Sequence, residues 1–295
     1  MNTNKTMPYD AGEIREIKQI IEVATTLRMS WFRGHPEEYG NLTPNIFRPE
    51  YITRNVLEPH TEYSVIEYFK RVAPALTQNI PNQDDHFDWL FLMQHHGAPT
   101  RLLDWTENAL VALYFAVRNF SDDTGKNGEL WAIYPYFLNQ KGYEFNGIAT
   151  QSNKILQYLA KEPYLAINPV SGGQKEQEKL AKEVELNKVP QYPLALYPTM
   201  KFPRMVNQLS TFTIHPTPSI LRQKNTIHDL LGDNKKYLVR YIIPQGSKLE
   251  LINKLETLGI SRRTLFPDLD GLSQTIIENL NHTPFEYNPQ DPPEF

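Results

Sequence analysis

The sequence contains no cysteine among its 295 residues. This absence excludes disulfide bonds, thiolate nucleophiles and cysteine-ligated metals. The sequence also has no HExxH zinc motif, no GxSxG nucleophile elbow, no P-loop and no GxGxxG dinucleotide fingerprint. The usual sequence signatures of zinc proteases, serine hydrolases, P-loop nucleotidases and Rossmann dehydrogenases are therefore missing.

Long apolar runs are lacking as well. No stretch approaches the roughly 18 apolar residues of a membrane span, and the N-terminal segment has no apolar core of the kind found in signal peptides. The net charge of -4 argues against a broad nucleic-acid-binding surface, although it allows a local basic groove. With 40% hydrophobic and 22% charged residues, the composition is typical of a globular protein. We therefore expect a soluble cytoplasmic protein without a membrane partner.

The order of predicted elements indicates the fold class. Helices come first, and strands and helices then alternate irregularly, which predicts an α+β fold with a compact mixed sheet and surrounding helices. We divide the chain into an N-terminal helix at 1–24 capped by Asp10, a main domain at 25–280 and a C-terminal tail at 281–295. A charged helical insertion is predicted at about 151–190 within the main domain.

The segment QHHGAPTRLLDWTENALVALYFA, residues 94–116, places charged side chains in an apolar run. Polar groups in such surroundings are normally paired or used. One interpretation is a buried pair of Arg101 and Asp104 that fixes a turn against the core. The other is a strand-turn-helix that forms one wall of a pocket, with Asp104, Thr106 and Glu107 at its lip.

Arg33 stands beside Gly34 at the end of a predicted strand in WFRGH. A guanidinium there can hold a phosphate with two hydrogen bonds, because glycine lets a ligand approach the backbone. The alternative is a core arginine paired with an acid such as Asp104. The two interpretations are compatible if the acid orients the arginine, so we expect Arg33 and Asp104 to converge at one solvent-reachable hollow.

A third polar cluster precedes the apolar strand in FPRMVNQLSTFTIHP, and it either faces a pocket or decorates an edge of the sheet. Its members are Arg204, Asn207, Gln208 and Ser210.

His95 and His96 are adjacent and lack the i, i+4 spacing of a helical metal pair, so we predict no bound metal. A histidine can also act as an acid or base without a metal. A metal-independent nuclease that uses one of these histidines, with Arg33 on the phosphate, is therefore one alternative.

Four segments together resemble the FRG domain family: WFRGH, LMQHHGAPTRLLDWTENALVALYFA, PRMVNQLSTFTIH and LFPDLDGL. They span roughly residues 25–280, and the long central segment is the most specific. One departure is the pair Leu209 and Ser210, where we expect the family pattern to favour a glycine after the glutamine. The resemblance implies little chemistry by itself.

The order of these parts is also similar to that of ADP-ribosyltransferases. Those enzymes begin with a strand that bears an Arg-Gly or His-Gly pair, and a late strand brings the catalytic glutamate. Here FRG, DWTENALVALYFA, GELWAIYP and NQLSTFTIHP follow that order. The similarity implies that Arg33 holds the phosphates or the nicotinamide ribose of NAD. It also implies that Thr106 lines the nicotinamide pocket, with Tyr114 behind it.

The expected catalytic glutamate is replaced by Gln208, which can hydrogen-bond a ribose but cannot act as a base. Asp104 or Glu107 would then supply the missing charge. The implied catalytic residues are thus Arg33, Asp104, Glu107 and Gln208. The implied cofactor-binding residues are Arg33, His95, Arg101, Thr106 and Tyr114.

We therefore expect an ADP-ribosyltransferase-like enzyme with an ADP-ribosyltransferase-like fold. It would use NAD, and no metal, to modify a protein or nucleic-acid acceptor, for example as a toxin or a phage-defence effector. The other alternative is a non-catalytic module that binds a nucleotide or phosphate through Arg33. The acceptor and the oligomeric state stay open.

Overall fold

The computed structural model describes residues 8–48, 59–119, 125–167, 173–217 and 226–282. A mixed β-sheet lies at the centre of this part of the chain, and helices cover it. The strands are β1 Asp10–Glu13, β2 Trp31–His35, β3 Leu102–Thr106, β4 Gly128–Ile133, β5 Leu194–Leu196, β6 Ser210–Ile214 and β7 Leu238–Ile243.

The seven strands lie in the order β1-β7-β4-β2-β3-β6-β5. The β1 and β7 strands are parallel, and the other neighbours are antiparallel. The α-helices of the described residues are α1 Ile17–Thr26, α2 Pro59–Val72, α3 His86–His95, α4 Ala109–Val117, α5 Pro135–Tyr143, α6 Lys154–Lys161, α7 Gly173–Glu183, α8 Pro203–Asn207, α9 Ile227–Leu231, α10 Lys248–Thr257, α11 Arg262–Leu265 and α12 Leu269–His282. The predicted α+β class with a mixed sheet is confirmed.

Successive strand residues point to opposite faces of the sheet. On β2, Phe32 joins the core beneath α1, α4 and α10, whereas Trp31 joins the core beneath α5 and α9. A third core cluster surrounds β5 and β6 and includes Leu156 of α6 and Leu180 of α7. The segment predicted as a helical insertion contains α6 and α7, and both helices bury apolar residues in this cluster.

The N-terminal segment differs from its prediction. Residues Asp10–Glu13 form an edge strand, and the helix begins only at Ile17. The backbone of this segment pairs with β7, as Arg240 donates its N–H to the carbonyl of Tyr9 at 2.8 Å. Asp10 is therefore a strand residue and not an N-cap. The predicted C-terminal tail lies, from residue 283 onward, outside the described residues.

Gly34 is required by helix packing. A Cβ atom at this position would clash with the carbonyl oxygen of Ala112 in α4. The helix therefore packs directly on the backbone of β2, which only glycine allows. The sequence suggested ligand access as the reason for this glycine, and the structure supplies a different one.

Arg101 is fully buried, and all five of its N–H groups have partners. Its Nε and Nη2 donate to Glu62 at 2.8 and 2.6 Å, and its Nη1 donates to Glu162 at 2.7 Å. The remaining two N–H groups bond the carbonyl of Leu159 and the hydroxyl of Thr217. This side chain ties α2, α6 and the segment after β6 to the start of β3.

The predicted pair of Arg101 and Asp104 is therefore wrong. Asp104 lies within β3 and is exposed, while Arg101 precedes the strand and is buried. Residues three apart along extended chain point to opposite faces, so the two side chains cannot meet.

Replacing Arg101 with alanine should lower the free energy of unfolding by about 3–5 kcal/mol, because Glu62 and Glu162 would remain buried without their counter-charge. Urea denaturation measures this loss. The control is Arg15→Ala, whose exposed side chain should contribute less than about 0.5 kcal/mol. Losses of equal size in the two variants would contradict the structural role of Arg101.

Candidate functional site

A cavity opens at the centre of the sheet, where β2 and β3 separate. Phe32 and Thr106 form the register pair that joins these strands in the described chain, whereas β2 pairs with β4 over five residues. Beside that pair, the residues from Phe32 to Pro36 and from Asp104 to Thr106 line a cavity of about 400 Å³. Its polar lining consists of Arg33, His35, Tyr39, Asn45, Arg48, Gln94, His95, Asp104, Thr106, Arg118, Arg204, Gln208 and Ser210.

Arg33 spans the gap between the two strands. Its Nη1 donates to the backbone carbonyl of Asp104 at 2.6 Å and lies 3.5 Å from the carboxylate Oδ2 of the same residue. The side chain of Arg33 is 13% exposed and that of Asp104 is 52% exposed. The two groups thus converge at a solvent-reachable hollow, as the sequence predicted.

His35 holds Arg33 from the other side. The Arg33 Nε donates to His35 Nε2 at 2.7 Å, and His35 Nδ1 lies 2.7 Å from Glu129 Oε1. Because Nε2 accepts a hydrogen bond, the proton of the neutral ring is on Nδ1, from which it bonds Glu129. A buried chain of carboxylate, imidazole and guanidinium therefore fixes the direction of Arg33.

Burial and hydrogen bonding determine the protonation states of His35 and Glu129. Burial, together with the charge of Arg33, lowers the pKa of His35 to about 4. Burial alone would raise the pKa of Glu129, but the hydrogen bond from His35 and the nearby backbone N–H of Gly40 bring it below its ordinary value. At neutral pH the imidazole is thus uncharged between an ionised Glu129 and a protonated Arg33.

The carboxylate of Asp104 is oriented by α3. Gln94 donates its Nε2 to Asp104 Oδ2 at 2.7 Å, and the Oε1 of Gln94 accepts a hydrogen bond from Thr100. Because the hydroxyl of Thr100 engages the amide oxygen of Gln94, the amide nitrogen faces the carboxylate of Asp104. Gln94 therefore connects the end of α3 to the exposed edge of β3.

Arg204 and His95 form another part of the cavity wall. Arg204 is bound by both carboxylate oxygens of Asp268, with a distance of 2.7 Å from Nη2 to Oδ1. The ring of His95 stacks on Phe202 with a centroid distance of 4.0 Å. Burial, together with the nearby His96, lowers the pKa of His95 to about 4, so the ring is neutral at pH 7.

Gln208 and Thr106 also reach the cavity, as predicted. The hydroxyl of Thr106 donates to the backbone carbonyl of Gln208 at 2.6 Å. The side-chain Nε2 of Gln208 donates to the carbonyl of Leu265 at 3.0 Å, so its amide links β6 to α11. Both residues therefore shape the wall between the end of β3 and the C-terminal helices.

Three predicted site residues lie elsewhere. Glu107 is exposed and accepts a hydrogen bond from the hydroxyl of Tyr197 at 2.8 Å. Tyr114 is 3% exposed within the core beneath α4, where burial raises its pKa to about 12. Arg101 is held by its two carboxylates. The structure does not bring Glu107, Tyr114 or Arg101 to the cavity lining.

The residue predictions missed His35 and Glu129. His35 is two residues after Arg33, so the strand period places both side chains on one face. Glu129 is a single acid in the apolar strand GELWAI. A lone buried charge suggests a partner, but the sequence gives no register between β2 and β4 that would identify it.

The cavity carries an excess of positive charge. Its described lining includes Arg33, Arg48, Arg118 and Arg204 against the carboxylate of Asp104, and Asp268 behind the lining neutralises only Arg204. Burial lowers the pKa of Arg33 and outweighs the opposing effect of Asp104. This arrangement favours an anionic ligand, because such a ligand would supply the missing counter-charge.

Residues 28–125 match the FRG domain family model, about one third of the chain. The matched segment includes β2, β3 and α4. No curated protein and no solved structure matches the chain.

Within the described ranges, no cluster of three or more histidine, aspartate or glutamate side chains is placed to hold a metal ion. None of the described helices combines the length and the apolarity needed to cross a membrane.

The pH dependence of stability should reveal the neutral state of His35. The folded protein depresses its pKa from 6.5 to about 4, so stability is present above pH 6.5 and is lost as the pH falls toward 4. We expect this group to account for about 2 kcal/mol of lost stability between pH 7 and pH 5. Urea denaturation at both pH values measures it. The His35→Asn variant should lose less stability on acidification than Ile133→Val, a core variant that titrates no group. Equal losses would contradict the assignment.

Leu209 adopts a backbone conformation that favours glycine. Its φ is +46° and its side chain is 42% exposed, at the place where the family pattern suggests a glycine. Leu209→Gly should maintain or raise the unfolding free energy, by up to about 1 kcal/mol, since the left-handed region costs a side chain about 1–2 kcal/mol. The control Leu249→Gly, at an exposed position in α10, should lose about 1 kcal/mol. Thermal denaturation compares them, and a larger loss at Leu209 would refute the strain.

Proposed function

We propose that the protein is an ADP-ribosyltransferase-like enzyme that binds NAD in the cavity between β2 and β3. The observation that carries this proposal is the guanidinium of Arg33, which His35 aims across the split in the sheet into a cavity rich in arginine. The diphosphate of NAD would balance this positive charge. A volume of about 400 Å³ falls in the range of small-molecule sites.

Asp104 is the carboxylate that would assist the chemistry. In the transfer, the bond between C1′ of the ribose and nicotinamide breaks, and nicotinamide leaves with the bonding electron pair. The ribose then carries positive charge, which a nearby carboxylate stabilises. The acceptor forms the new bond to C1′ and releases its proton to Asp104. Gln208 would contribute a hydrogen bond through its side-chain oxygen, since its side-chain nitrogen is the atom bonded to Leu265. Transfer to a protein or nucleic acid would suit a toxin or a phage-defence effector.

A second candidate is a non-catalytic module that binds NAD or a related nucleotide. The observation that favours it concerns the late strand, where Gln208 stands in place of a glutamate. Glu107, the other acid proposed to replace it, is bonded to Tyr197 outside the cavity lining. This candidate shares the binding role of Arg33 but requires no role for Asp104 in bond cleavage.

Two substitutions separate these candidates. Calorimetric titration measures NAD binding, and chromatography measures nicotinamide release with water or a cell extract as the acceptor. Arg33→Ala should weaken NAD binding at least about tenfold, because it removes charge-assisted hydrogen bonds. Asp104→Asn should retain binding and lose about 100-fold in nicotinamide release. Arg15→Ala, an exposed arginine outside the cavity, is the matched control.

Each result leads to a different conclusion. Nicotinamide release that depends on Asp104 supports the enzyme. Binding of NAD without release by the unaltered protein supports the non-catalytic module. Failure of the unaltered protein to bind NAD overturns both.

A further inference from the structure

The loop that follows β2 brings Tyr39 and Arg48 to the cavity. Tyr39 is 47% exposed, and the guanidinium carbon of Arg48 lies 5.9 Å from the centre of its ring. The Tyr39 ring also meets the ring of His35 edge to face, with a centroid distance of 5.3 Å. An accessible aromatic ring and a planar cation therefore stand beside the unit formed by His35 and Arg33.

The charge of Arg48 has no acidic partner in the described part of the chain. Its Nε donates to the backbone carbonyl of Thr43 at 3.0 Å, which leaves its two terminal nitrogens available. The terminal Nη2 of Arg33 is likewise without a hydrogen-bond partner among the described residues. Both guanidinium groups line the same cavity, and the charge of Arg48 contributes to the lowered pKa of both Arg33 and His35.

Two neighbouring guanidinium groups with free N–H donors repel each other unless an anion lies between them. A diphosphate fits this arrangement, because its oxygens can accept hydrogen bonds from both groups. The ring of Tyr39 and the plane of Arg48 offer the flat surfaces on which a nucleobase stacks.

We infer that Tyr39 and Arg48 form a subsite for a purine base and the diphosphate attached to it. In this subsite the base stacks on the Tyr39–Arg48 pair, and the diphosphate bridges Arg48 and Arg33. The inference rests on the proposed nucleotide-binding function and identifies the part of the ligand that the loop after β2 recognises. A purine offers a larger stacking area than a pyrimidine, so it should be preferred.

The Phe266–Arg204 pair of the cavity suits this role less well. Phe266 has the guanidinium of Arg204 at 5.0 Å from its ring centre, which resembles the Tyr39–Arg48 pair. Arg204, however, is already bound by both oxygens of Asp268. A phosphate there would have to displace a carboxylate, whereas at Arg48 it would meet a cation that has no acidic partner among the described residues.

Calorimetric titration with adenosine diphosphate, uridine diphosphate and inorganic pyrophosphate tests this subsite in the full chain. The unaltered protein should bind adenosine diphosphate more tightly than uridine diphosphate. Arg48→Ala should weaken adenosine diphosphate and pyrophosphate alike, by at least about tenfold. Tyr39→Ala should weaken adenosine diphosphate about tenfold and leave pyrophosphate binding unchanged, since only the base stacks. Tyr39→Phe, which keeps the ring, should retain the affinity of the unaltered protein.

The matched controls are Tyr68→Ala and Arg71→Ala. These residues form a similar pair on the exposed side of α2, with the Arg71 guanidinium 5.3 Å from the Tyr68 ring centre, and neither lines the cavity. Both control variants should keep full affinity. Circular dichroism and melting temperature confirm that each variant is folded.

Several outcomes would overturn the subsite. These are equal affinity for the two nucleotides, equal loss of adenosine diphosphate and pyrophosphate in Tyr39→Ala, or unchanged affinities in Arg48→Ala. The result is separable from the proposed enzymatic activity. Adenosine diphosphate binding that depends on Tyr39 and Arg48 supports the subsite even if nicotinamide is never released. Nicotinamide release with adenosine diphosphate affinity unchanged in both variants overturns the subsite alone.

Discussion

The hydrogen bond from Arg33 to the backbone carbonyl of Asp104 is the contact on which the site depends. Where two central strands of a sheet separate, their backbone groups lose their ladder partners and require others. Arg33 satisfies one such carbonyl and reaches it because His35 and Glu129 hold the guanidinium in place. The split can therefore persist as a cavity without leaving this carbonyl unsatisfied. One side chain thus stabilises the opening of the sheet and presents positive charge to whatever enters it.

The buried histidine determines how that charge is distributed. If His35 were protonated, two cations would lie in contact, and Arg33 would lose the acceptor that orients it. Burial and the neighbouring arginines keep the ring neutral. His35 therefore connects Glu129 to Arg33 by hydrogen bonds and adds no charge of its own. The negative charge of Glu129 stays behind the imidazole, bonded to the backbone N–H of Gly40. This hydrogen-bonded network thus presents the positive charge of Arg33 to the cavity, although it also contains the ionised carboxylate of Glu129.

Local sequence signals predicted the sheet, the principal helices and the convergence of Arg33 with Asp104, because these depend on periodicity and on unusual polar residues in apolar runs. Partners across strands were not predictable, since pairing depends on register. Arg101 shows this limit: its three-residue spacing from Asp104 suggested a local pair, yet its carboxylates come from Glu62 and Glu162. The N-cap of α4 shows it on a smaller scale. Asn108 caps the helix, whereas the hydroxyl of Thr106, two residues earlier, donates to the backbone carbonyl of Gln208.

The segment that matches the FRG domain supplies three of the four arginines that line the cavity, Arg33, Arg48 and Arg118. Arg33, Arg48 and Asp104 all lie within residues 28–125. The opposite wall comes from later parts of the chain, where Arg204 is neutralised by Asp268 and the amide of Gln208 is bonded to Leu265. Among the described residues, Arg48 in the matched segment has no acidic partner, whereas Arg204 and the amide nitrogen of Gln208 in the later wall are already engaged. Unpaired charge attracts a ligand, whereas a wall whose polar groups are already hydrogen-bonded contributes a fixed shape. We therefore expect the matched segment to hold the proposed anionic ligand and the later wall to determine which ligands fit.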